Sequence, residues 1–425
     1  MVLTLTWSRP ENSSLQLAMK AARHMLASVR ALGTERMRLL GVLTGGHFVI
    51  HWFQQFFPVI LPSIKSGLGL TNVEVGALTS AQQMIMGLGQ LPVGLLADSM
   101  VRQRAKMLGL SLLAMGAAYF LLGSPVFVWT LLGSGLIGLG TALWHPTAAA
   151  SLSNRFPEHR ATALSIHGTG ATISDTITPL FVGALLASFS WQTVARLQLL
   201  PGLLFAVVVW RALGGLFSEA EQRPPSGSSQ IREVVGVIRN PAFLGVSAAT
   251  GLLSMGRLVI LTFLPIYLQE HLHYSAFALG VFVALMHALG TISQPALGLL
   301  SDRFGRKAVL VPSCLLLGLF FALLASVPAG IPLALVIVAI GLFFYTLFNI
   351  MNAAVMDVAG AAVQASTYGL MTLITQLVVL PTPMITGYLI GEFGIKFSFV
   401  LAGIFLLIAG VVLAPLKLYR GSRGR

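Results

Sequence analysis

Two histidines four residues apart, His47 and His51, stand in a run that is otherwise largely Phe, Val, Ile and Trp. At that spacing they share one helix face. A pair of imidazoles so placed suits proton relay, hydrogen bonding to a polar ligand, or a transition-metal pair. No third ligand and no His-rich loop supports metal, so it is the weakest of the three readings and none is assigned. Three more of the nine histidines, His145, His167 and His287, also fall in long apolar stretches. For any one of them, plain burial with a satisfied hydrogen bond competes with a functional role.

Two charges are as conspicuous. Asp175 and Arg257 each interrupt an apolar stretch, where a charge costs about 2.5–3.5 kcal/mol on insertion scales and needs a partner or water. Helical rise from the start of each stretch puts both roughly 21–22 Å deep. The matched depth fits a static ion pair. It fits as well a working pair, in which Arg257 holds an anionic or polar group and protonation of Asp175, or of the histidine His167, is coupled to its release. Gln54, Gln55, Trp144, Tyr345, Asn349 and Asn352 complete a candidate polar and aromatic cavity with His47, His51 and His145. For each, an ordinary interhelical hydrogen bond of about 1 kcal/mol is the competing account.

These residues need a membrane-spanning frame. Apolar residues are 56% of the 425 and charged ones 9%, against roughly 45–50% and about 25% in soluble domains. Windows able to cross about 30 Å of hydrocarbon open at 39, 73, 105, 126, 161, 192, 242, 275, 307, 331, 366 and 395. The expected fold is therefore an all-α membrane protein of twelve transmembrane helices. Its domains are a basic tail over 1–38 with an interfacial helix from 15, a six-helix bundle over 39–213, a linker over 214–241, a second bundle over 242–418 and a basic tail over 419–425. Met37 offers an alternative start.

The net charge of +13 does not call for a nucleic acid, because 22 of the 26 Lys and Arg fall on one side of these helices. That asymmetry puts both termini in the cytoplasm. Cys314, the single cysteine, lies within an apolar stretch and makes no internal disulfide. There is no phosphate-binding Gly-rich loop with Lys, no HExxH and no insertion of nucleotide-binding size. Enzymatic chemistry, ATP-driven transport and a cofactor are not expected.

The halves repeat each other at an offset of 204 residues. Gly94-Leu95-Leu96-Ala97-Asp98 returns as Gly298-Leu299-Leu300-Ser301-Asp302, Gly76 as Gly280, Pro179 as Pro383 and Gly183 as Gly387. Parallel repeats in so apolar a chain imply two pseudo-symmetric six-helix bundles with a site between them.

With this repeat, residues 39–418 resemble the major facilitator superfamily. The family pattern Gly-x-Leu-Ala-Asp-Arg-x-Gly-Arg-Lys is followed closely from Gly298 to Lys307. The first copy departs, with Ser99 for the Arg and Val101 for the Gly, so its turn must be made differently. The resemblance implies a cytoplasmic gate at Gly94, Asp98 and Arg102, and at Gly298, Asp302, Arg303, Gly305 and Arg306. It also implies a central cavity ringed by the first, fourth, seventh and tenth helices. The stretch Gly138 to Pro146, with Arg160 to Gly168, is similar to the fosmidomycin-resistance branch of drug and metabolite exporters. An antiporter motif is matched in part by Gly170, Pro179 and Gly183, with Thr178 where a glycine is expected. These likenesses imply a monomeric, alternating-access transporter of the bacterial inner membrane that exports a small polar or anionic organic molecule against protons. The rivals are a proton symporter importing an organic acid and a non-transporting receptor or scaffold.

Overall fold

The computed structural model describes residues 33–217, 239–358 and 364–418. Most of the expected interfacial helix, most of the linker and all of the C-terminal tail lie outside the described residues. Within them the chain is helical and no strand is present.

The first half runs α1 (Thr34–Leu68), α2 (Asn72–Ser99), α3 (Arg104–Leu122), α4 (Phe127–Arg155), α5 (Arg160–Ser188) and a two-piece α6 (Trp191–Arg196 and Leu199–Leu213). The second runs α7 (Pro241–Ile266, continued by a π turn at Tyr267–His271), α8 (Ala276–Phe304) and α9 (Arg306–Leu323). It ends with α10 (Ile331–Phe344 and Thr346–Val358), α11 (Gln364–Val379 and Thr382–Phe393) and α12 (Lys396–Leu413). In hydrocarbon every backbone N–H and C=O must be satisfied within the helix, and at several helix starts a side chain caps the first turn. Thr71 and Glu74 close a capping box at the start of α2, Ser275 caps α8, and Asn240 caps α7 with Pro241 at its first turn. Among the described residues ten helices are long and apolar enough to cross a membrane. The two that fall short, α1 and α2, are those diluted by His47, His51, Gln54, Gln55, Gln82, Gln83 and Gln90.

α1 begins at Thr34, ahead of its apolar window, because its charged first turns find partners. Glu35 accepts from Arg155 at 2.9 Å, Arg36 lies 3.6 Å from Glu158, and Arg38 donates to the Ala212 carbonyl at 2.6 Å.

The halves pack by one plan. α2 lies on α4, α3 on α6 and α1 on α5; correspondingly α8 lies on α10, α9 on α12 and α7 on α11. Glycine makes the closest of these crossings possible: Gly116 meets Gly202 between α3 and α6, and Gly318 meets Gly403 between α9 and α12. With lipid on one side and no hydrophobic drive between helices, close backbone approach is what stabilises the pair.

Repeat-matched residues also join the two bundles. Gly76 of α2 abuts Pro383 of α11, and its mate Gly280 of α8 abuts Pro179 of α5. Gly183 abuts Ala276, and its mate Gly387 abuts Asn72. The offset seen in sequence is thus two copies of one crossing. Both lie toward the end of the molecule away from the termini, where the Lys65 ammonium of α1 meets Glu270 of α7 at 2.5 Å.

Candidate functional site

Four imidazoles gather in the first bundle. α1 supplies His47 and His51, α4 supplies His145 and α5 supplies His167. The His47 ring stacks on His167 with centroids 4.0 Å apart, and it lies 4.7 Å from His51 and 5.3 Å from His145. Helix α5 comes this close because Gly170 fits against the backbone of Thr44 and Phe48, where a Cβ would collide. His47 Nδ1 donates to the His167 carbonyl at 3.0 Å, and His145 Nδ1 donates to the Thr141 carbonyl at 3.0 Å. The third ring nitrogen that the sequence spacing did not provide comes from His145. One nitrogen each from His47, His51 and His145 lie within 4.8 Å of one another.

Asp175 does not pair with Arg257. Its carboxylate accepts from His51 Nδ1 at 2.8 Å, so the ion pair expected from matched depth is replaced by a contact within the first bundle. α1 and α5 are packed neighbours, whereas Arg257 stands on α7 across the divide. Its half-buried guanidinium lies 4.6 Å from the Phe344 ring, 5.0 Å from Tyr345 and 5.6 Å from Phe348. Its Nε is buried without a hydrogen-bond partner, and no carboxylate pairs with it among the described residues. α10 breaks at Tyr345, and the freed residue turns its hydroxyl to hydrogen-bond His287 of α8.

A cavity of about 190 Å³ opens between α1, α2 and α7, lined by Gln54, Gln55, Gln82, Gln83, Thr79 and Thr262 together with apolar side chains. Gln54 donates to the Thr141 hydroxyl at 2.9 Å. Trp144 is fully buried against Gly46. Asn349 is exposed beside Gln294 at 3.5 Å, and the Asn352 carbonyl oxygen is buried without a partner. The candidates therefore divide into a histidine cluster in one bundle, an amide-lined cavity on the divide and a cation among aromatic rings in the other bundle.

The two gate segments differ as their sequences do. Gly305, at φ +97°, makes the turn between α8 and α9 in one residue, a conformation that glycine adopts without strain. Arg306 follows at once and binds Asp302, the Ser301 hydroxyl at 3.2 Å and Asp357 at 2.8 Å. The first copy lacks that glycine and inserts a 3₁₀ turn at Val101–Gln103. The cation that comes to Asp98 is consequently Arg104, at 3.8 Å, 1% exposed and donating to the Ala97 carbonyl at 2.8 Å. Arg102 and Arg303 hold the outer positions, Arg303 over the Phe304 ring at 5.4 Å.

The model of the Major Facilitator Superfamily matches residues 43–383 and 292–424. The chain belongs to that superfamily. It is similar to the fosmidomycin resistance protein of Escherichia coli (strain K12), 24% identical over 65% of this chain and 68% of that one. It is also similar to the hexuronate transporter of Bacillus subtilis (strain 168), 25% identical over 86% of this chain and 89% of that one. Among solved structures, a bacterial homolog of the human lysosomal transporter Spinster, inward-facing and occupied, superposes with a TM-score of 0.76. The identity is 18%, and the match covers 90% of this chain and 97% of that one. The nucleoside transporter NupG gives a TM-score of 0.72 at 13% identity, over 89% of this chain and 100% of that one. This Major Facilitator Superfamily protein is thus a multi-pass membrane transporter and not an enzyme.

Sequence reasoning missed Gln82 and Gln83 of α2, although an adjacent pair of glutamines in an apolar helix was the same signal that picked out Gln54 and Gln55. It also missed Asp357 and the Lys65–Glu270 pair. Their roles depend on which helix ends meet, and spacing along the chain carries no trace of that.

Proposed function

We propose that this superfamily member exports a small anionic or polar organic molecule across the bacterial inner membrane, in exchange for protons, by alternating access between its bundles. The observation that carries the reading is Arg257, a cation of the second bundle whose ring neighbours are aromatic and which no carboxylate pairs among the described residues. A guanidinium lined by rings, with no carboxylate on it, has N–H groups to offer a carboxylate or phosphonate. The amide-lined cavity nearby offers neutral hydrogen bonds to the rest of such a ligand. One relative is named for the transport of hexuronate, an organic anion, and another for resistance to fosmidomycin, with which export would agree. The distribution of Lys and Arg favours cytoplasmic termini.

Transport in proteoliposomes that hold the protein in its cellular orientation, loaded with a panel of organic anions, tests the reading. An outside-acid gradient should speed the loss of internal substrate. A symporter would concentrate external substrate under the same gradient, and a receptor would move none. Either result would displace the exporter.

A further inference from the structure

Three of the four first-bundle imidazoles, those of His47, His51 and His145, use the same ring nitrogen, Nδ1, for their hydrogen bond. His47 Nδ1 donates to a backbone carbonyl and His145 Nδ1 to another. A carbonyl only accepts, so in both rings Nδ1 carries the proton and Nε2 keeps its lone pair. His51 Nδ1 faces the Asp175 carboxylate at 2.8 Å, which fixes that ring in the same tautomer. Oxygen acceptors on one ring nitrogen, with the other nitrogen free, are how proteins orient histidines that ligate a metal. His47 Nε2 is buried without a hydrogen-bond partner, a costly arrangement for a nitrogen with a lone pair and no ligand. His51 and His145 are partly exposed, which leaves a way in.

We infer that His47, His51 and His145 form a binding site for a divalent transition metal ion of the cobalt, nickel, copper and zinc group. Three neutral imidazoles suit these borderline ions and not magnesium or calcium, which take oxygen ligands. One nitrogen from each ring already lies within 4.8 Å of the others, so small rotations close the set. Three protein nitrogens leave a fourth position for water or a substrate oxygen. Asp175 does not ligate; it holds His51 and places a negative charge behind the ion, offsetting the repulsion of Arg257 from the opposite bundle. The thiol of Cys314 is buried in α9 and takes no part.

The test is metal binding by the purified, tag-free full chain in detergent, stripped with chelator and then titrated with Co²⁺. The expected result is one ion per chain, with the intense visible absorption of tetrahedral cobalt, and X-ray absorption of the zinc form showing three imidazoles. His47→Ala, His51→Ala and His145→Ala should each remove tight binding. Asp175→Asn should weaken it about 10–100-fold, the usual effect of losing such an orienting partner. His159→Ala, outside the cluster, should leave it unchanged. Melting of each variant without metal separates loss of a ligand from loss of the fold, and the wild-type absorption spectrum needs no variant at all. An octahedral aqueous cobalt spectrum, or undiminished affinity in the three histidine variants, overturns the site.

Discussion

At the scale of single residues, Arg257 decides most. Ion-pair reasoning gives it to Asp175, but that carboxylate is taken by His51, so the guanidinium keeps its charge for something else. Hydrogen bonds to charged groups contribute about 1.5–3 kcal/mol. Arg257→Gln should therefore weaken binding of an organic anion by roughly 10- to 150-fold. Arg257→Lys should lie between, since it retains the charge and loses the planar fork. Thermal stability should hold or rise in the glutamine variant, because an unpaired cation and an unsatisfied Nε leave the interior. A large drop in melting temperature with unchanged affinity for anions would mark Arg257 as structural. The identity of these residues was legible in the sequence. Their partners were not, because His51 and Asp175 stand 124 positions apart and meet only through the packing of α1 on α5.

At the scale of elements, the repeat proved more legible than any side chain. Twelve spans, their order and the altered first gate turn can all be read from apolar windows and from Val101 standing where Gly305 stands in the other copy. What the offset could not say is that Gly76, Gly280, Pro179 and Pro383 touch. They do so because glycine lets a helix reach the backbone of its neighbour, an exchange of side chain for proximity that a pattern along the chain does not encode. Gly76→Val and Gly280→Val should each disfavour the state in which these crossings are closed, since overpacking of this kind costs about 1–3 kcal/mol. Ser80 donates to the Leu380 carbonyl across the same divide at 2.9 Å. A Ser80→Cys reporter should react faster with a membrane-impermeant maleimide in either glycine variant, and Cys314, being buried, should add little background. Equal reactivity in all three backgrounds would mean the crossings do not control that end.

At the scale of the whole molecule, the asymmetry between its two ends ties architecture to transport. The end away from the termini is held by the glycine crossings, by Ser80 on Leu380 and by the Lys65–Glu270 pair. Glu270 sits in the π turn that ends α7 beyond Pro265, where the helix is already irregular and can shift at low cost. If the bundles rock about the central site, this pair must part in every cycle, because Lys65 belongs to one bundle and Glu270 to the other. In this part-buried pair desolvation offsets much of the attraction, so it can bias the equilibrium without arresting it. A covalent tie is different. Lys65→Cys combined with Glu270→Cys, joined by a short reversible bis-thiosulfonate reagent, should stop transport, and reductant should restore it. The single Lys65→Cys and Glu270→Cys variants, treated alike, should keep transporting. Full-rate transport by the cross-linked protein would show that this end stays shut throughout the cycle, and alternating access in its rocking form would no longer describe the chain.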